Sequence, residues 1–164
     1  MDRQELMNRM TVLLGGRAAE SLTFAEVSTG AADDLAKATE IARNMVVRFG
    51  MEPKLGQVAY EADPAPLLGV PAGADWRPRR YSEETASAID TALRALVDAA
   101  FERAVFILTA NRVVLDQAAA ELLAKETFSA EDLQRVAARL TSIGPGEKTP
   151  RVAVGIAAVT RMSS

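Results

Sequence analysis

Residues 82–110 read SEETASAIDTALRALVDAAFERAVFILTA, and this stretch decides the fold class. Ile89, Leu93, Leu96, Val97, Ala100, Ala104 and Leu108 recur at intervals of three and four, the spacing of one continuous helical face. Ser82 is a natural N-cap, and Glu83 and Glu84 suit the positive end of the helix behind it. The pattern predicts one long amphipathic helix reaching about Ala110.

The same period recurs on both sides. Leu6, Met10, Leu13 and Leu14 mark a helix from about Arg3 to Glu20, weakened by Gly15-Gly16 at roughly 1 kcal/mol per glycine relative to alanine. Such a pair suggests tight helix packing. A second helix is capped by Ser28 or Thr29, with Asp33 and Asp34 in its first turn and Leu35, Ala38, Ala42, Met45, Val46 and Phe49 along one stripe. Gly50 and Pro53 end it. Spacing also makes Met10, Met45 and Met51 core or near-core residues. After residue 110, Leu115, Ala118, Leu122 and Leu123 are expected to face inward from a helix over about Arg112 to Lys125. Ser129 and Asp132 then open a final helix, with Phe128 placed to staple onto Leu133.

Between these elements the texture changes. Pro64, Pro66, Pro71 and Pro78, with Gly69 and Gly73, predict a long irregular loop around Trp76. Arg77, Arg79 and Arg80 make that loop basic. Gln57-Val58-Ala59-Tyr60 is expected to form a short strand. The expectation is an all-α bundle of about five helices over residues 1–141, followed by a linker and tail over 142–164.

Composition narrows the chemistry. Apolar residues are 49% and aromatics only 5% of the 164, a balance that favours close-packed helices over sheet. The net charge of −3 gives no electrostatic reason to expect nucleic acid or an anionic membrane. No apolar run approaches the roughly 18 residues of a membrane span, and none resembles a secretion signal, so direct membrane insertion is not expected. The chain contains no histidine and no cysteine, which removes disulfides, thiolate metal sites and imidazole catalysis from its own repertoire. No phosphate-binding glycine loop and no nucleophile elbow is present. Read from the residues alone, Asp33 and Asp34 are helix-start carboxylates that complement the helix dipole.

A family resemblance adds a second reading. Leu13-Leu14-Gly15-Gly16-Arg17-Ala18-Ala19-Glu20, then Val27-Ser28-Thr29-Gly30-Ala31-Ala32-Asp33-Asp34-Leu35, then Ala38-Thr39-Glu40-Ile41-Ala42-Arg43-Asn44-Met45-Val46 resemble the peptidase half of FtsH-type proteases, peptidase family M41. Gly50-Met51-Glu52-Pro53-Lys54-Leu55-Gly56, Tyr81 to Thr85 and Lys125-Glu126-Thr127 continue the likeness in order, to about Leu140.

That resemblance implies an ATP-driven zinc endopeptidase of membrane and misfolded proteins. Its zinc is held by the two histidines of His-Glu-x-x-His and by an aspartate that matches Asp34, with Asp33 where asparagine is usual. Glu20 matches a glutamate implied to orient a ligand histidine. With its metal helix, ATPase module and membrane anchor all missing, the chain alone is expected to be inactive and to bind zinc weakly at best. The resemblance further implies homo-oligomers or association with a full-length FtsH-like protease, and a cytoplasmic location. The rival expectation is a non-enzymatic oligomerisation or regulatory module.

Overall fold

The computed structural model describes residues 1–24, 28–60 and 81–144 of the 164. It is all-α: α1 (Arg3–Leu13), α2 (Gly15–Phe24), a 3-10 turn (Thr29–Ala31), α3 (Ala32–Val47), α4 (Glu83–Ala110), α5 (Arg112–Lys125) and α6 (Ala130–Ala138). The expected proline-rich loop, Trp76 and the tail from residue 145 lie outside the described residues.

The long α4 is the spine. Its Ser82 cap accepts from the Thr85 N–H at 3.2 Å, as the sequence predicts. α1 and α3 pack on its first half, where Leu6, Met10, Leu14, Ala42, Met45, Val46 and Leu96 are buried together. α2 packs on its second half, through Ala18 against Ala104 and Val105. Small residues at these contacts let helix axes approach closely. Met10 and Met45 are fully buried, and Met51 is partly so.

Several expectations change. The single helix predicted over Arg3 to Glu20 is two helices that meet at Leu14. The ladder survives the junction, since Leu14 N–H donates to Met10 O at 3.0 Å and Ala18 N–H to Leu14 O at 2.9 Å. Gly15 and Gly16 do not admit a close neighbour: a Cβ on either would meet nothing within 4 Å. Their low helix propensity suits the interruption at Leu14 instead.

Ser28 caps the 3-10 turn, accepting from Gly30 N–H, and α3 has no side-chain cap of its own. Phe49 is 53% exposed because α3 stops at Val47 and the stripe stops with it. Gly50 then turns the chain at φ 58°, and a Cβ there would come within 3.3 Å of the Gln57 backbone. Gln57–Tyr60 is not a strand: its Tyr60 N–H donates to Val47 O at 2.8 Å, at the end of a helix. Tyr60 also meets Tyr81 edge to face at 5.7 Å, joining this segment to the start of α4.

The largest departure is α5, which has no buried residue. Leu115 and Ala118 line a groove of about 490 Å³ shared with α4 and the chain after α6. Leu122 and Leu123 are 42% and 85% exposed, although α6 reaches this end of the helix through the ion pairs of Lys125 with Asp132 and of Arg139 with Glu121. Leu133 is exposed too, so Phe128 covers little of it.

Candidate functional site

Asp33 and Asp34 occupy the first turn of α3, where the unpaired N–H groups of a helix favour negative charge. Asp33 is exposed. The Asp34 side chain is 47% exposed and faces Lys37 with 3.7 Å between Oδ1 and Nζ. An exposed i,i+3 pair of that kind contributes about 0.2–0.5 kcal/mol, too little to tie the carboxylate up. Asp34 is therefore an accessible carboxylate on the first turn of α3.

Glu20 projects from α2 towards the segment leading into α3. Its Oε2 accepts from the Ser28 N–H at 3.0 Å and its Oε1 from the Ser28 hydroxyl at 2.8 Å. The Ser28 backbone bond above all, then its hydroxyl and finally the Arg17 charge, hold the Glu20 carboxyl below its usual range. The Ser28 oxygen accepts in turn from Gly30 N–H at 3.2 Å. A relay thus runs from α2 through Ser28 into the turn that starts α3.

Sequence periodicity gives no sign of the Glu20–Ser28 pairing. Eight residues separate the two partners across a helix end, and such a contact is legible only in three dimensions.

Further along α3, from Lys37 onward, α1 and α3 leave a groove of about 690 Å³. Arg9, Val12 and Leu13 line one side, and Lys37, Ile41 and Asn44 the other. Val12 is 78% exposed in it. The groove is open, apolar along its floor and carries both charge signs on its rim. Val27, at the head of the segment quoted from the sequence, and the arginines around Trp76 lie outside the described residues.

These features define a class: a helical domain that presents accessible carboxylates, Asp33 and Asp34, on a braced helix start. Residues 1–136 match the model of Peptidase family M41, and the chain belongs to that family. It is 62% identical to the ATP-dependent zinc metalloprotease FtsH of Paraburkholderia phymatum over 93% of this chain and 23% of that protein. The proteins of the same name from Methylibium petroleiphilum and Thermus thermophilus are 54% and 44% identical over 87% and 82% of this chain. They too are matched over only 23% and 21% of their lengths. The chain spans less than a quarter of these relatives.

Zinc in a relative's name makes the donor set here worth testing. A protein zinc centre needs at least three nitrogen, sulfur or carboxylate ligands converging on one point. The 164 residues hold no histidine or cysteine, and among the described residues no three acidic side chains converge. The set does not make a zinc site by itself. Asp34 has the chemistry of one ligand.

Proposed function

We propose that this chain is the helical part of an ATP-dependent zinc endopeptidase of membrane and misfolded proteins, and that Asp34 supplies one of its three zinc ligands. The observation that carries the reading is the accessible Asp34 carboxylate on the first turn of α3, in a chain of family M41. The other two ligands are imidazoles from a segment outside these 164 residues. The groove between α1 and α3 supports that assignment, because it leaves room for such a segment along the same helix as Asp34. Glu20 and Asp33 support the ligand without being ligands.

Alone, the chain does not hydrolyse peptide bonds. A casein or quenched-peptide assay with added zinc tests this: no turnover is expected, and chelator-sensitive cleavage that follows this chain through purification overturns it. The domain works as an oligomer, or with a full-length FtsH-like protease, on the cytoplasmic side of a membrane. Among the described residues no helix is long and apolar enough to cross one.

A second reading, a non-enzymatic oligomerisation or regulatory module, is favoured by one specific observation. α5 and α6 display Val113, Leu123 and Leu133 to solvent, large apolar side chains available to another protein. Light scattering separates the two aspects: mass above the monomer at high concentration supports self-association, and a strict monomer removes that part of the proposal.

A further inference from the structure

The Asp34 carboxylate is only as well placed as the start of α3, and that start is weakly determined by α3 itself. The helix has no side-chain cap, and its N-cap residue Ala31 offers none. The preceding 3-10 turn is capped by Ser28, whose oxygen accepts from Gly30 N–H. Ser28 in turn is gripped twice from a different helix, at its N–H and at its hydroxyl, by the two oxygens of Glu20. The hydroxyl donates to Glu20 and keeps a lone pair for Gly30, so each bond polarises the next. A hydrogen bond to an ionised carboxylate is about twice as strong as one between neutral groups, and here two meet on one residue. Gly30 belongs to the same device, because a Cβ at this position would come within 3.3 Å of the Ser28 hydroxyl oxygen.

We propose that Glu20 is a positioning residue. It fixes the direction in which α3 begins by holding Ser28, and so sets the place of the Asp34 carboxylate. This is a separate role from orienting an imidazole: each oxygen accepts one bond from Ser28 and keeps a further lone pair. The inference rests on the reading of Asp34 as a zinc ligand for its purpose, but its geometry is testable without metal.

Amide hydrogen exchange on the metal-free chain is the first test, with Glu20→Ala, Glu20→Gln and Ser28→Ala. Glu20→Ala is expected to speed exchange at Ser28 and Gly30 by about tenfold, as befits loss of a charge-assisted bond net of water. The Ala42 and Met45 amides in the middle of α3 should stay as protected as before. Glu20→Gln keeps one acceptor and should recover part of the loss. Unchanged exchange at Ser28 and Gly30 overturns the proposal. So does an equal loss of protection at Ala42 and Met45, which would make Glu20 a general stability residue.

The second test adds a helical peptide bearing His-Glu-x-x-His and titrates zinc, then cobalt(II) for its visible absorption. Glu20→Ala should weaken zinc binding roughly 10- to 100-fold, the usual effect of losing a group that supports a ligand, and should alter the cobalt spectrum. If Asp34→Asn weakens zinc binding and Glu20→Ala does not, the positioning role fails and the ligand stands. If Asp34→Asn changes nothing while Glu20→Ala still loosens Gly30, the ligand reading fails and Glu20 still holds the start of α3.

Discussion

The four helices α1 to α4 and the hairpin of α5 and α6 are held together by different physics. The first group buries Met10, Leu14, Ala42, Met45, Val46 and Ala100 almost completely. The hairpin buries one side chain, Asp132, and it is charged. Lys125 and Arg135 both donate to that carboxylate, which also accepts from the Ser129 N–H and hydroxyl at 3.0 Å. Asn111 fastens the far end, taking the Thr141 N–H at 2.7 Å and donating back to the Thr141 carbonyl at 3.3 Å. Arg112 reaches across to Leu22 O at 3.1 Å, anchoring α5 to the end of α2. Apolar burial is non-directional and tolerates small shifts, whereas these polar clasps fix geometry at a few points. The contrast assigns the bundle to stability and leaves Val113, Leu123 and Leu133 of the hairpin exposed.

Mutations break that comparison in a definite order. Met45→Ala removes a fully buried side chain from the bundle and should cost about 2–5 kcal/mol in urea melts. Leu123→Ala, the same kind of truncation on the exposed hairpin, should stay within about 0.5 kcal/mol. Equal effects would erase the distinction between the two regions. Asn111→Ala removes the two part-buried side-chain bonds that hold the Thr141 backbone, and a loss of about 1–2 kcal/mol is expected. Ser129→Ala removes half of the capping box and should cost about 1 kcal/mol.

Acid sharpens the comparison further. Lys125, followed by the Ser129 N–H, holds the Asp132 carboxyl well below the usual carboxylate range. A carboxyl depressed in the folded state stabilises it fully above its unfolded value of about 3.9. That contribution is lost as pH falls below this value towards the folded one. The α6 amides should therefore lose exchange protection below about pH 4 ahead of the α3 amides, and Asp132→Asn should remove the difference. Simultaneous loss in both helices would contradict a separately clasped hairpin.

Most of the bundle was legible in the sequence because its helices carry period and punctuation together. In α4, Ser82 caps and Ile89, Leu96, Ala100 and Ala104 are buried as their spacing predicts. The interruption at Leu14 was not legible, since glycines weaken a helix without saying whether it will break. The α5 face was misread for a different reason: Leu122 and Leu123 have apolar periodicity, but periodicity does not reveal whether a neighbour is present to cover them. The candidate site divides in the same way. Asp34 is visible as a helix-start carboxylate and through family likeness, and lies on the first turn of α3 as read. The grip of Glu20 on Ser28 depends on how α2 returns towards α3, which no local pattern encodes.

Zinc titration of the chain mixed with a peptide bearing His-Glu-x-x-His, with Asp34 and with Asn in its place, tests the central claim most directly. Asp34→Asn leaves the helix start nearly intact, costing at most the favourable end charge of about 0.3–1 kcal/mol. The account predicts that the parent mixture binds zinc with three strong protein ligands and that the Asn variant binds far more weakly, because only two remain. Equal zinc affinity for the two chains would contradict it and return Asp34 to an ordinary dipole-complementing role.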